Sequence, residues 1–275
     1  MFRRTAYMVF ALLTVIIAMQ AKAQDSFGFA YYDIDKLYDT IPSVFYNDEA
    51  YTPQGRLKWN AERYRRKVEA AAAIIDSMAM PVTALFGAEN EQVVRDIVSC
   101  CKRDYSYIHR TSDRLDGLDF ALLYYGDLIM PLRTYSGRNH LLVETRTADG
   151  KAVAIILSKR AANIDDLTAE ILEADETATI IVAGEFDGTN LEPFGIIDMF
   201  CNEEAAGRGN VLYREGWRAA DRIAVTAGRC GRIGIYARRW LLDSRGAPKP
   251  TYNRYTYIGG AGGRLPVWCE IKFVK

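Results

Sequence analysis

The chain has 275 residues, and its 35 Lys plus Arg balance 35 Asp plus Glu, so the formal net charge is zero. A chain with no basic excess has no long-range field that gathers a polyanion, which argues against nucleic acid as a partner held by bulk charge. With only two histidines and no CxxC pair, the sequence also argues against a zinc site.

The first 23 residues have the pattern of a secretory signal peptide. The basic pair Arg3-Arg4 precedes an apolar run over 7–19, and residues 21–23 form a small-x-small cleavage pattern. The run is shorter than the roughly 20 apolar residues that a membrane-spanning helix needs. We therefore expect an exported protein, periplasmic or secreted, in which residues 1–23 are a signal peptide and residues 24–275 form a single domain without a membrane span.

The predicted elements of the first third follow from hydrophobic periodicity. Residues 27–32 form an apolar run that suits a buried strand, and a polar loop over 41–58 follows it. Apolar residues then recur at three- and four-residue spacing, which predicts a helix of about five turns over 59–78. A strand over 82–86 and a second helix over 91–101 come next.

The rest of the chain is rich in predicted strands. Asp149-Gly150 lies between two apolar runs and predicts a hairpin, because glycine accepts the positive φ of a tight turn. One further helix is predicted over 165–174. The predicted strands are 105–108, 118–125, 128–132, 140–147, 151–157, 179–184, 211–214, 221–226, 232–237 and 265–274. Such a mixture of helices, fully apolar strands and alternating strands indicates layered α and β structure.

The five cysteines leave two interpretations open. Cys100 and Cys101 are adjacent and cannot easily bond to each other without strain. The cysteines are either buried free thiols that pack as small apolar side chains, or one disulfide forms among Cys201, Cys230 and Cys269.

Seven motifs occur together in one order along the chain. They are YYDIDKLYDT (31–40), YTPQGRLKWNAERYRRK (51–67), ALFGAEN (84–90), DGLDFALLY (116–124), IIVAGEFDG (180–188), ADRIAV (220–225) and GGAGGRLPVW (259–268). Together they resemble a bacterial, exported subgroup of the endonuclease/exonuclease/phosphatase, or DNase I-like, family. The resemblance implies an α/β (α+β) fold, a four-layer sandwich of two mixed β-sheets flanked by helices, with the site at one end of the strands.

The resemblance also implies a mechanism for which this chain lacks residues. Family enzymes use a divalent cation held by a carboxylate, and a histidine paired with an aspartate deprotonates the attacking water. Gly87 stands where relatives carry the metal-binding Glu, although Glu89 follows two residues later. Residues 262–264, Gly-Gly-Arg, replace Ser-Asp-His, and a further family histidine, at the end of a middle strand, falls near residues 154–155. We therefore predict a catalytically impaired protein that acts as a binding or scaffold protein and needs no cofactor.

Several acidic residues remain at site positions that the resemblance marks. The family's Gly-Asp-Phe-Asn reads Gly-Glu-Phe-Asp here, with Glu185 and Asp187, and Asp33 falls at the first-strand Asn. Asp119 and Asp221 match acidic positions of the family, and carboxylates that accept backbone hydrogen bonds can also serve as purely structural ties. We treat these five acids as vestigial catalytic positions.

The alternative hypothesis is a rewired metal-dependent phosphodiesterase, nuclease or phosphatase. In it, Asp33, Glu89 and Glu185, with Asp187, are oxygen ligands of Mg²⁺ or Ca²⁺, and metal-bound water is the nucleophile. Lys159 and Arg264 are the candidates for binding an anionic group. The partner stays open between an envelope protein and a phosphorylated or otherwise anionic ligand.

Overall fold

A computed structural model describes residues 25–160 and 163–273. The predicted signal peptide lies outside the described residues. Within the described ranges, no helix is long and apolar enough to cross a membrane.

Two six-stranded mixed sheets form the centre of the molecule, and each contains one parallel pair of neighbouring strands. In spatial order, the first sheet contains Cys230–Ile235 (β13), Val267–Lys272 (β16), Ser26–Leu37 (β1), Val82–Ala88 (β2), Asp119–Tyr124 (β4) and Ser106–His109 (β3). The second contains Ile129–Gly137 (β5), His140–Thr147 (β6), Ala152–Lys159 (β7), Thr179–Glu185 (β8), Arg222–Thr226 (β12) and Ile196–Asp198 (β9).

The remaining elements lie outside the two sheets. Two short hairpins consist of Val211–Tyr213 (β10) with Gly216–Arg218 (β11) and of Tyr252–Asn253 (β14) with Thr256–Tyr257 (β15). The α-helices are Ala61–Met78 (α1), Glu91–Cys100 (α2), Ile164–Ala174 (α3) and Cys201–Ala205 (α4). Single 3-10 turns occur at Glu49–Tyr51, Glu192–Phe194 and Arg239–Leu241.

Helix α1 shows how local sequence sets the element boundaries. It begins where the Asn60 side chain accepts a hydrogen bond of 3.0 Å from the Arg63 backbone N–H, which satisfies one of the free donors of the first turn. It ends before Ala79, which takes a left-handed conformation with φ of 57°. The apolar face between these ends, including Ile74 and Ile75, is buried, so the predicted helix packs against a sheet as its periodicity requires.

Three apolar cores fix the order of the layers. The inner core lies between the sheets and contains Tyr31, Phe86 and Phe120. A second core joins the first sheet to α1 and α2, and a third joins the second sheet to α3. The order helix, sheet, sheet, helix confirms the four-layer sandwich of two mixed sheets that the sequence predicts.

Strand β1 is longer than its apolar run predicts. It extends past residue 32 to Leu37, and the pairing with β2 shifts register between Asp33 and Leu37, where Asp35 has φ of 59°. A bulge of this kind bends the strand and redirects side chains. The charged stretch is therefore the irregular end of the strand, and Asp33 is buried there.

Candidate functional site

Three carboxylates converge where strands of both sheets end. Asp33 lies near the end of β1, Glu185 is the last residue of β8, and Asp221 directly precedes β12. One oxygen of each lies within 4.8 Å of the others, and among the described residues no other group of at least three His, Cys, Asp or Glu residues meets this criterion. The strand ends that the resemblance marks therefore bring acids of both sheets into one cluster.

Two basic side chains lie among these carboxylates. The Lys159 ammonium, at the end of β7, donates to Asp33 Oδ2 and to Glu185 Oε1, each at 2.7 Å. The Arg264 Nη1 is 2.6 Å from Glu185 Oε1 and 2.6 Å from Asp221 Oδ1, and its Nε is 3.7 Å from Asp33 Oδ2. We call these five residues the ion-pair cluster; two cations compensate three carboxylates and leave one negative charge in excess.

The electrostatics keep the two cations charged. Burial disfavours the charged form of Lys159, but the negative charges of Asp33 and Asp221 outweigh this effect. The pKa of Lys159 is therefore raised above its usual value. The same balance raises the pKa of Arg264. Burial alone would raise the pKa of Glu185, but the positive charge of Lys159 outweighs burial, so the pKa of Glu185 is lowered. The fully buried Asp221 has its pKa raised to about 6 by burial, which Arg264 only partly offsets.

The cluster has the ligand type but not the space for a resident divalent cation. Carboxylate oxygens are the ligands that Mg²⁺ and Ca²⁺ prefer. Here, however, the Lys159 ammonium and the Arg264 guanidinium bind these oxygens at hydrogen-bond distance. A metal would have to displace groups whose pKa the same carboxylates raise, so the residues present do not fit a metal of this class.

Asn210 holds the buried side of the cluster together, and it was not predicted from the sequence. Its Nδ2 donates to Asp221 Oδ2 at 2.7 Å and to the Leu265 carbonyl at 3.2 Å, and its Oδ1 accepts from the Ala220 N–H at 2.9 Å. These bonds tie the segment that carries Asp221 to the one that carries Arg264. No periodicity marks an asparagine in a connecting loop, so only the neighbouring motif ADRIAV pointed to this region.

Two features beneath the cluster leave no room for a larger side chain. Gly184 has φ of 114°, and a Cβ there would lie 2.1 Å from the Ser158 carbonyl oxygen and 3.1 Å from the Tyr31 ring. Only glycine tolerates that conformation and approach. The Tyr31 hydroxyl is buried without a hydrogen-bond partner among the described residues, and burial, followed by the charges of Asp221 and Asp33, raises its pKa. Tyr31 is therefore a neutral wall of the cluster.

Glu89 and Asp187, which the metal hypothesis includes, lie outside the ion-pair cluster. Glu89 accepts from the Asp39 N–H at 2.6 Å and from the Tyr46 hydroxyl at 2.8 Å, and burial raises its pKa to about 7. Asp187 is 67% exposed and pairs with Arg222 at 3.1 Å. Of the proposed ligands, the structure brings Asp33 and Glu185 together, and Asp221 takes the third place.

Asp119 also lies outside the ion-pair cluster. It accepts hydrogen bonds from the Ser112 N–H at 2.9 Å and Ser112 Oγ at 2.6 Å, and the His109 Nε2 is 3.4 Å from its Oδ2. These contacts tie the loop after β3 to the start of β4.

Residues 154–155, near which the resemblance places the middle family histidine, do not reach the ion-pair cluster. Ala154 and Ile155 lie inside β7, buried in cores on its two faces. The strand continues to Lys159, which pairs with Glu185 across the parallel β7–β8 ladder. An apolar run does not show where its strand ends, so the sequence predicted this strand only to residue 157, two residues short of Lys159.

A cleft of about 560 Å³ opens above the ion-pair cluster. Its charged walls include Arg114, which binds Asp116 at 2.6 Å and Asn139 at 2.8 Å. Lys36 and Arg160 line the same cleft, are exposed, and have no ion-pair partner in the described part of the chain. Lys159 and Arg264, the predicted anion-binding residues, line the cleft too but are bound to carboxylates.

The architecture is a DNase I-like fold. Residues 28–153 match the model of the Endonuclease/Exonuclease/phosphatase family. Similar solved structures include an endonuclease/exonuclease/phosphatase family protein from Bacteroides thetaiotaomicron (TM-score 0.60, 12% identity, covering 91% of this chain and 98% of that one). A mannosyl-6-phosphatase from the same organism has a TM-score of 0.59 at 12% identity, covering 90% of this chain and 100% of that one.

A humanized D. rerio TDP2 with 14 mutations is similar as well (TM-score 0.60, 11% identity, covering 91% of this chain and 100% of that one). At these identities the likeness concerns the fold. No curated protein matches the chain in sequence. The match to the Endonuclease/Exonuclease/phosphatase family model therefore covers residues 28–153, and the solved structures extend the likeness to the fold of the described chain.

Proposed function

We propose that this chain is an exported family member that is catalytically impaired and acts as a binding or scaffold protein. The observation that carries the proposal is the ion-pair cluster, in which Lys159 and Arg264 bind the carboxylates of Asp33, Glu185 and Asp221. These are the groups that a metal-dependent hydrolase would need free.

The ion-pair cluster has no histidine to accept the proton in phosphoester hydrolysis. A general base must accept a proton near neutral pH, and a histidine does so because its usual pKa is about 6.5. Arg264 stands where the family places that histidine, and its pKa is raised. Neither of the chain's histidines, His109 and His140, lines the cleft. The carboxylates of the cluster are bound by Lys159 and Arg264, and an ammonium or guanidinium group does not deprotonate water.

The mouth of the cleft supports binding of an anionic group. Lys36 and Arg160 are exposed cations without an ion-pair partner among the described residues, on a cleft large enough for a small ligand. Leu115, between the lining residues Arg114 and Asp116, is 84% exposed. The Tyr46 ring contacts Gly117 in the same loop, and Phe45 beside Tyr46 is 90% exposed. Exposed apolar side chains beside unpaired cations suit a partner with an anionic and an apolar part.

A hydrolysis assay tests the catalytic half of the proposal. The protein and its Glu185→Ala variant are incubated with a phosphodiester and a phosphomonoester in Mg²⁺, Mn²⁺ or Ca²⁺, beside an active family member. We expect both proteins to give the same background rate. Metal-dependent turnover that disappears in Glu185→Ala would overturn the proposal, because the cluster would then be catalytic.

A binding assay tests the other half. Calorimetry with inorganic phosphate and with a phosphorylated monosaccharide is expected to detect heat for at least one of them, and the signal is expected to weaken in Lys36→Ala/Arg160→Ala. Arg65→Ala is the matched control, because Arg65 is exposed on α1 and pairs with Glu69, away from the cleft lining. Equal binding by all three proteins would remove the cleft as the binding site.

The convergence of Asp33, Glu185 and Asp221 favours one second candidate, a rewired metal-dependent hydrolase. In that case a divalent cation must displace Lys159 and bind the folded state, so millimolar Mg²⁺, Mn²⁺ or Ca²⁺ would raise the melting temperature. An unchanged melting temperature removes the premise of this candidate.

A further inference from the structure

Two cysteines lie on neighbouring strands of the first sheet and face the same core. In the β13–β16 ladder, Cys230 is opposite Ile271 and Cys269 is opposite Ile233, so the cysteines are diagonal neighbours. Cys269 is fully buried in the core between the sheets, and Cys230 packs against that core from a partly exposed position. Their side chains therefore point to the same side of the sheet.

A bulge lies between the two cysteines in this ladder. The register shifts between Cys230 and Ile233, so three steps along β13 match two along β16, which is the pattern of a β-bulge. The Cys230 and Cys269 side chains interact through a hydrogen bond. The diagonal placement on a shared face therefore brings the two sulfur atoms together.

We propose that Cys230 and Cys269 form a redox pair that closes to an intramolecular disulfide in an oxidising compartment. The oxidant is a small disulfide such as oxidised glutathione. The Cys230 thiolate attacks one sulfur of that disulfide, forms a mixed disulfide and releases one small thiolate. The Cys269 thiol then loses its proton to solvent, its sulfur bonds to Cys230 Sγ, and the second small thiolate leaves. Two cysteine thiols are oxidised and one small disulfide is reduced to two thiols.

The two sulfur atoms differ in the way that this sequence of steps requires. A hydrogen bond with Cys269 lowers the pKa of Cys230, burial opposes that lowering, and Lys272 adds to it. The same hydrogen bond, followed by burial, raises the pKa of Cys269. A partly exposed thiol with a lowered pKa is the attacking group, and a buried neighbour is the resolving group.

The other three cysteines lack this arrangement. Cys100 and Cys101 are consecutive at the end of α2, and burial raises the pKa of each. Cys201 is exposed at the first position of the short helix α4. The proposed bridge would join the edge strand β13 to β16 and close the chain segment that contains Arg264. It would therefore stabilise this edge of the sheet and raise the melting temperature by about 10 °C.

The test is oxidation of the reduced protein, as expressed, with oxidised glutathione, followed by alkylation of free thiols, proteolysis and mass spectrometry. We expect a cross-linked peptide pair that contains Cys230 and Cys269, absent in Cys230→Ser and in Cys269→Ala and retained in the control Cys201→Ser. The melting temperature is expected to rise on oxidation in the wild type and in Cys201→Ser alone.

The cross-link is read in the wild-type protein, so a variant that fails to fold leaves the result intact. If Cys230 and Cys269 are both alkylated after oxidation, or are found bridged to other cysteines or held as stable glutathione adducts, the proposal is wrong. The outcome does not depend on whether the cleft hydrolyses a substrate.

Discussion

Replacing Lys159 with methionine removes one of the two cations of the ion-pair cluster while it keeps an unbranched side chain. The change takes away the ammonium that lies 2.7 Å from both Asp33 Oδ2 and Glu185 Oε1. Arg264 still binds Glu185 and Asp221 at 2.6 Å and lies 3.7 Å from Asp33. Three carboxylates are then compensated by a single guanidinium, with Asp33 the least well paired.

Breaking a buried ion pair by removing one partner costs roughly 3–5 kcal/mol. The lower end applies here, because the Lys159 side chain is 14% exposed and Arg264 keeps part of the compensation. We expect Lys159→Met to lower the free energy of unfolding by about 3 kcal/mol at pH 7, and the melting temperature by about 6–12 °C for a chain of this size.

The loss is expected to depend on pH in a defined direction. In the wild type, burial raises the pKa of Glu185, but Lys159 lowers it by more, so the net effect is a lowered pKa. A carboxyl with a lowered folded-state pKa stabilises the fold above its unfolded pKa, and that contribution disappears as the pH falls through the folded value. The difference between wild type and Lys159→Met therefore shrinks as the pH falls from about 5 to about 3.

The same variant is expected to gain a response to divalent cations. If Mg²⁺ binds the freed carboxylates with a Kd on the order of 1 mM, 10 mM Mg²⁺ stabilises the variant by about 1.4 kcal/mol and leaves the wild type unchanged. Thermal unfolding with and without Mg²⁺ measures both effects, and Lys36→Met, which changes an exposed lysine of the same cleft, is the control. An equal melting temperature for Lys159→Met and the wild type would contradict this prediction. An equal rise of both melting temperatures in Mg²⁺ would contradict it as well.

Three further substitutions test the buried acid Glu89 and the packing and capping of helix α1. Burial raises the pKa of Glu89 to about 7, so its contribution to the free energy of unfolding is complete below the unfolded-state pKa and is lost as the pH rises through 7. Glu89→Gln lacks this titration. Its free energy of unfolding in urea should therefore rise by about 2 kcal/mol relative to that of the wild type between pH 5 and pH 8. Ile75→Ala, on the buried face of α1, should lower the free energy of unfolding by roughly 2–5 kcal/mol in the same assay. The exposed control Arg65→Ala should change it by no more than about 0.5 kcal/mol. Asn60→Ala removes the N-cap of α1 and should cost about 1 kcal/mol; an unchanged value would show that the cap bond is not needed.

The sequence predicted the layers better than the ends of their strands. Periodicity located α1 and most sheet strands because each buries one face or both. It missed β9, β11 and the helix Cys201–Ala205, which are too short to show a period. It also ended β1 at residue 32, since alternating acids mark a strand end in sequence, although a bulge lets the strand continue and bury Asp33.

The sequence singled out most members of the ion-pair cluster but not their arrangement. The family pattern singled out Asp33, Glu185, Asp221 and Arg264, and all four meet in the ion-pair cluster. Lys159 was considered only as an anion-binding residue, because its pairing with the carboxylates depends on the parallel register of β7 and β8 and on the packing of one sheet against the other. Contacts of that kind join distant parts of the chain and leave no local signal.

The cluster behaves as one electrostatic unit, so none of its members can be interpreted alone. Replacing only the three acids would leave Lys159 and Arg264 as buried cations without these partners, and replacing only the cations would leave Asp33, Glu185 and Asp221 to repel one another. An acid retained at a site position therefore does not by itself indicate metal binding in this fold. The groups beside the carboxylates matter as much as the carboxylates themselves. A neutral imidazole leaves the carboxylates free to bind a metal, whereas a permanent cation occupies the position that the metal would take.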